Sequence, residues 1–197
     1  VGGNTEVFTM KVDGSERKNV TADPAADQMP SWSPDGRRIV FSSNRGGDLQ
    51  RFEVWTASLD GKEPGLLYRD AGSSVDPVFA NDERLLFSND LPDGRTGNFE
   101  IFSMDLASKT LTRATSRQRY DVSPAVSPDG SHIAFVSNLD GNSEIYLMKS
   151  DGTDLIRLTR EKGDDIAPTW SADGSKIVFS SNRNGTYLLY EVAVPFR

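Results

Sequence analysis

The sequence predicts an all-β fold, a β-propeller of four-stranded antiparallel blades, on two repeated strings and one periodicity. Pro-Ser-Trp-Ser-Pro-Asp-Gly at 30–36 returns as Pro-Ala-Val-Ser-Pro-Asp-Gly at 124–130 and as Pro-Thr-Trp-Ser-Ala-Asp-Gly at 168–174. Pro77-Val78-Phe79 opens a degraded fourth copy, and the leading prolines Pro30, Pro77, Pro124 and Pro168 lie 47, 47 and 44 residues apart. Glu6-Val7-Phe8, Glu53-Val54-Trp55, Glu100-Ile101-Phe102 and Glu144-Ile145-Tyr146 keep the same three steps. Two independent motifs on one period are the mark of a repeat architecture. Between them the apolar residues alternate with period two, the rhythm of strands.

Each element of a repeat follows from local chemistry. Ser-Pro-Asp-Gly sets a tight turn, because proline fixes φ and glycine accepts the conformation other residues resist. The second strand comes next, as Arg38-Ile39-Val40-Phe41-Ser42, Arg84-Leu85-Leu86-Phe87-Ser88, His132-Ile133-Ala134-Phe135-Val136 and Lys176-Ile177-Val178-Phe179-Ser180. A polar loop leads to the Glu-Ile-Tyr-type third strand, then Asp-Gly, then a short fourth strand at Leu66-Leu67-Tyr68 or Arg157-Leu158-Thr159. β-Branched and aromatic runs bounded by Gly, Pro, Asn and Asp are strand signals. Four strands in about 45 residues are the content of a propeller blade. The expected organisation is one domain over 1–197, with repeats at 29–75, 76–122 and 123–166 and partial ones near 1–28 and 167–197.

The strand count leaves the ring open to several solutions. The chain's start supplies two outer strands (5–21) and its last repeat three inner ones (168–194), an overlap of one strand. A four-blade ring with 187–194 surplus, a five-blade ring with an incomplete blade, part of a longer propeller, or pairing with a neighbouring molecule all satisfy the pattern. Unpaired edge strands favour such additions.

The string Pro-x-Trp-Ser-Pro-Asp-Gly followed by Ile-x-Phe-x-Ser-Asn-Arg, then Glu-Ile-Tyr-x-Met, then Asp-Gly and Arg-Leu-Thr resembles the WD40-like (PD40) repeat of the TolB-like β-propeller family over essentially all of the sequence. That resemblance implies a periplasmic or extracellular location and a non-enzymatic role as a protein-binding scaffold of the cell envelope, with an envelope protein as partner. In the family, the TolB propeller contacts a peptidoglycan-associated lipoprotein. The sequence departs from the pattern at Phe79-Ala80-Asn81-Asp82-Glu83, at Ala107-Ser108, and at Leu188, which stands where the other repeats carry Glu. Two alternative roles remain: a structural subunit assembling by strand exchange between its termini, and an accessory or carbohydrate-binding propeller of a hydrolase system.

Composition narrows the partners. Net charge −7 and pI about 4.8 argue against nucleic acid and anionic membrane surfaces. No apolar run reaches the roughly 20 residues of a membrane span. With no cysteine, disulfides and thiolate metal sites are excluded. Val1, with neither an initiator Met nor a signal-like segment, reads as a processed or trimmed start.

Gly-x-Ser-x-Gly, Walker, Gly-x-Gly-x-x-Gly and His-Glu-x-x-His signatures are missing, so no enzyme activity and no organic cofactor are expected. His132, the single histidine, shares its register with Arg38, Arg84 and Lys176 and reads as a surface strand residue. The candidate site is a ring of carboxylates. Asp27, Asp121 and Asp165 each stand three residues before a leading proline; Ser74 takes that slot in the other repeat, with Asp76 nearby. Blade symmetry would gather these carboxylates at the channel mouth, to hold a cation such as Ca²⁺ or receive basic groups of a partner; alternatively each caps its own turn. Asn138-x-Asp140-Gly141-Asn142-x-Glu144 is expected to be a polar hairpin turn rather than a calcium loop. The recurrent Glu6, Glu53, Glu100 and Glu144 are expected to pair with a recurrent partner such as Arg45 or the loop backbone, and Trp32, Trp170, Phe41, Phe87, Phe135 and Phe179 to form inter-blade core.

Overall fold

The computed structural model describes residues 4–62, 64–90, 98–115 and 120–195, all of them strand, turn or loop, with no helix. A short N-terminal pair, β1 (Phe8–Thr9) and β2 (Lys18–Asn19), precedes the blades. Blade one is β3 (Asp27–Trp32), β4 (Arg38–Ser43), β5 (Glu53–Ser58) and β6 (Gly65–Tyr68). Blade two is β7 (Ser74–Asn81), β8 (Arg84–Asn89), β9 (Glu100–Asp105) and β10 (Leu111–Arg113). Blade three is β11 (Asp121–Val126), β12 (His132–Ser137), β13 (Glu144–Lys149) and β14 (Ile156–Arg157). Blade four has three strands, β15 (Asp165–Trp170), β16 (Lys176–Ser181) and β17 (Leu188–Ala193). Every sheet is an antiparallel meander in chain order, and the blades follow one another as in a propeller.

The turn that opens each blade is held as its sequence demands. The Ser33 hydroxyl donates to Asp35 (2.7 Å) and accepts from the Arg38 amide (2.9 Å), while Gly36 takes a φ of 68°. Ser127–Asp129–Gly130 and Ser171–Asp173–Gly174 repeat the arrangement. In the degraded repeat the glycine is missing, and Asn81 closes the turn by accepting from the Glu83 amide (2.9 Å).

The core lies between blades rather than within one. Phe41, Phe87, Phe135 and Phe179 occupy the same place in β4, β8, β12 and β16, and all are buried. Val40 and Val54 of blade one meet Leu85, Phe87 and Met104 of blade two. Leu86 and Ile101 of blade two meet Ile133, Phe135 and Tyr146 of blade three. Val136, Ile145 and Leu147 of blade three meet Ile177 and Phe179 of blade four. The N-terminal pair plays the part of the two outer strands of a preceding blade, its Val7 and Val20 packing on Ile39, Phe41 and Ala57.

The structure narrows the open ring solutions and changes one core expectation. Residues 187–194 are not surplus, because β17 completes the third strand of blade four in full register with β16. Among the described residues β17 pairs only with β16 and β1 only with β2, so no strand pairing joins the two ends of the blade series. Trp32 is not inter-blade core: it is 53% exposed. Trp170, its counterpart, is half-buried on blade three, where its Nε1–H donates to the Ala125 carbonyl at 3.0 Å. The N-terminal pair offers blade one outer strands but no inner strand, so Trp32 has no such carbonyl to cover it.

Candidate functional site

The innermost strand of every blade is broken by a bulge at the same place. The register shifts between Gln28 and Ser31, Val75 and Val78, Val122 and Ala125, and Ile166 and Thr169. Inside each bulge the residue before the leading proline is left-handed: Met29 (φ 54°), Asp76 (53°), Ser123 (53°) and Ala167 (53°). None is glycine, so each conformation costs on the order of 1–3 kcal/mol. A bulge re-aims the side chains beside it. Here it turns the pre-proline side chains and the proline rings into an axial cavity of about 550 Å³, bounded by Met29, Asp76, Ser123, Ala167 and the four leading prolines.

This mouth is mostly apolar, and Asp76 is its single charged residue among those described. Its Oδ2 accepts from both the amide and the hydroxyl of Ser123, each at 3.0 Å, and so ties blade two to blade three. Burial pushes the Asp76 carboxyl above the ordinary range, with the two Ser123 hydrogen bonds opposing the rise. Tyr120 is raised as well, by burial first and then by the Asp76 charge.

The structure does not gather the carboxylate ring into one site. Asp27, Asp121 and Asp165 are buried at the heads of β3, β11 and β15, two residues before the channel-lining positions. Asp27 accepts from Arg45 at 2.8 Å, and Asp165 from Arg183 at 3.1 Å, each arginine coming from the loop after the second strand of the same blade. Arg45 lies over the Phe41 and Trp55 rings at 5.2 and 5.0 Å; Arg183 lies over Phe179 and Tyr190 at 5.6 and 4.3 Å. Blade two swaps this ion pair for a neutral one, Asn89 donating to Ser74 Oγ at 2.9 Å. No group of three or more metal-binding side chains occurs among the described residues.

Arg45 is therefore not the partner of the recurrent glutamate. Glu53 is held by Arg69, Glu100 by Arg113 and Glu144 by Arg157, all from the fourth strand or its end, while Glu6 accepts from Thr21 at 2.6 Å. Glu144 also accepts from Thr159, whose Oγ1 in turn accepts the Ile145 amide at 2.9 Å. A signal for this was present in the Arg-Leu-Thr string, which returns 13 residues after Glu144 just as Arg113 follows Glu100. In the 138–144 loop, Asn142 donates to Glu144 (3.0 Å) and to the Gly163 carbonyl (2.6 Å), which joins blade three to blade four. His132 is half-buried on β12, its Nδ1 2.7 Å from Ser131 Oγ.

With this geometry in hand, the chain can be placed among known proteins. It is similar to the "Protein TolB homolog" of Chlorobium chlorochromatii, 31% identical over 137 residues, which are 68% of this chain and 29% of that relative. The crystal structure of TolB from Acinetobacter baumannii superposes with a TM-score of 0.82 at 24% identity, covering 96% of this chain and 46% of that one. A Mycobacterium tuberculosis puromycin-hydrolyzing peptidase shares the fold at a TM-score of 0.70 and 16% identity, over 93% of this chain and 30% of that one. The chain thus spans less than half the length of each. A family model described as the TolB beta propeller domain (PD40) matches residues 50–195, about three quarters of the sequence, and the chain belongs to that family.

Proposed function

We propose that this chain is a non-catalytic protein-binding module of the cell envelope, located in the periplasm, which receives its partner at the channel mouth. The observation that carries this reading is the ring of left-handed, non-glycine residues before the four leading prolines. Strain kept at one place in four blades holds open a concave, largely apolar surface. Such a surface suits an apolar knob or loop of another protein better than a charged small molecule. Its one carboxylate, Asp76, is already engaged by Ser123 and is poorly placed to act as a general base. Kinship with TolB proteins points to a peptidoglycan-associated lipoprotein as the first partner to try.

Calorimetric titration of the chain with the soluble domain of that lipoprotein tests the reading. Wild type should bind saturably, and the double substitution Met29→Glu, Ala167→Glu should weaken binding by about tenfold or more. Saturable binding that ignores both substitutions would move the partner off the mouth and sink the proposal. A second role, self-assembly, is favoured by one observation: Leu188 and Leu189 on the open edge of β17 are 54% and 76% exposed. Molar mass by light scattering, followed over a wide concentration range, decides whether copies associate there.

A further inference from the structure

Four arginines are half-buried among the described residues: Arg38, Arg45, Arg157 and Arg183. Arg45 is paired to Asp27, Arg157 to Glu144 and Arg183 to Asp165. Arg38 is the exception. Its side chain makes one hydrogen bond, Nε–H to Thr56 Oγ1 at 3.1 Å, and no described carboxylate lies within ion-pair distance. The strand register explains why. Arg84 faces Asp105 across its strand pair and Lys176 reaches Glu191, whereas Arg38 faces Ser58.

Arg38 opens onto a cleft of about 370 Å³ between blades one and two. That volume falls within the range of roughly 300–1,000 Å³ for small-molecule sites. Its apolar walls are Pro34, Leu67, Phe79 and Leu106, and Lys109 contributes a second cation with no ion-pair partner among the described residues. Two carboxylates also border it. Asp35 is occupied by its own turn, accepting from Ser33 Oγ and the Arg37 amide; Asp82 is exposed and beyond ion-pair distance of either cation. Thr56 is buried and fixes Nε, which leaves the two η nitrogens of Arg38 as a fork with no protein acceptor among the described residues.

We propose that this inter-blade cleft binds an organic carboxylate with an apolar body, the carboxylate bridged by the Arg38 fork and Lys109 and the body lying against Phe79 and Leu67. A planar guanidinium matches a carboxylate through two parallel hydrogen bonds. A half-buried guanidinium without a counter-charge is also the group that gains most from an incoming anion, because its surroundings screen the charge less than water does. The site is separate from the channel mouth, so its fate is independent of the lipoprotein reading. Free acids and the C-terminal carboxylate of a peptide present the same chemistry, and the probes below tell them apart.

The test is a titration of the ¹⁵N-labelled chain followed by NMR. Phenylacetate and N-acetylphenylalanine should shift the Arg38 Nε–Hε, Thr56 and Phe79 signals saturably, with dissociation constants of about 1 mM. A clear preference for N-acetylphenylalanine would assign a peptide C-terminus, and equal affinity a free acid. Phenylacetamide, which has the same ring and no charge, should bind at least about tenfold more weakly. R38Q should lose that same factor, R84Q should lose nothing, and R38K, with the charge but not the fork, should fall between. No saturable shift, equal binding of phenylacetamide, or an R38Q protein that binds as wild type would each overturn the site. The phenylacetamide comparison needs no variant, so the proposal stays testable even where R38Q perturbs folding.

Discussion

Blades three and four are built from the same words and differ in what lies beyond them. In blade three both faces of the sheet are covered: Ile145 and Leu147 on one face and Tyr146 and Met148 on the other are all at most 2% exposed. Leu189 occupies in β17 the position of Ile145 in β13, since it pairs with Ser180 as Ile145 pairs with Val136. It is 76% exposed. A blade's strands are therefore specified by its own sequence, whereas its burial is supplied by its neighbours, as in repeat proteins generally. Blade four carries that difference in its composition as well. Where blade three has Leu147, blade four has Glu191, in an ion pair with Lys176 at 2.6 Å; where blade three has Glu144, blade four has Leu188.

The largest effect should come from cutting the same atoms out of the two positions. Ile145→Ala leaves a cavity in a packed interface and should cost about 3 kcal/mol in urea denaturation. Leu189→Ala should stay within about 0.5 kcal/mol. Equal losses would break the comparison, because they would mean that the Leu189 face is covered in solution.

Exchanging the glutamate and leucine between blades should have the next largest effect. Glu144→Leu strips Arg157 and Thr159 of a buried acceptor and should cost about 2 kcal/mol. Leu188→Glu, on an exposed edge, should change stability by less than about 0.5 kcal/mol. A costly Leu188→Glu would show that this edge is apolar because something apolar meets it. A smaller difference of the same kind separates the tryptophans. Trp170→Phe removes the bond to the Ala125 carbonyl and should cost about 1 kcal/mol, and Trp32→Phe close to nothing.

These pairs also show where the sequence could be read and where it could not. The repeat step, the turns and the four phenylalanines were legible because each depends on one blade and its period. Trp32 reads as core by its repeat position, but its burial depends on an inner strand that the N-terminal pair does not include. Symmetry alone places the Asp-x-x-Pro carboxylates on the axis, yet the bulge that follows turns Met29-Pro30 and Ala167-Pro168 inward and leaves Asp27 and Asp165 paired with an arginine of their own blade. The chemistry that decides this was visible in outline. Arg45 and Arg183 each follow their aspartate by 18 residues, and the repeat whose aspartate is replaced by Ser74 has Asn89-Asp90-Leu91 where blades one and four read Ser-Asn-Arg. The Arg38 cleft left no signal, since Arg38 looks like its counterparts until the register reveals that Ser58, not an acid, stands opposite.

The gentlest comparison sets the junction of blades two and three against that of blades three and four. Asp76 ties the first junction by accepting from Ser123; at the second, Ser123 takes the place of Asp76 and Ala167 that of Ser123, so the hydroxyl donor is missing and no carboxylate faces it. Because burial holds the Asp76 carboxyl above its unfolded value, its ionised form is the penalised one in the folded protein. The penalty is present at neutral pH and is relieved as pH falls through the raised folded value toward the ordinary aspartate range. Asp76→Asn keeps an oxygen for both Ser123 donors without the charge, so it should raise the thermal midpoint at pH 7, with the gain vanishing in acid. The turn aspartates act in the opposite direction. Hydrogen bonds from Ser127 and Ser171 hold Asp129 and Asp173 down at about 2, so their contribution survives until pH drops below the ordinary carboxyl range and is lost on the way to that value. Thermal melts of wild type and Asp76→Asn between neutral and acid pH should therefore converge first and then fall together. Melts that stay parallel throughout would mean that Asp76 titrates as an exposed carboxylate, and the tie between blades two and three would lose its electrostatic character.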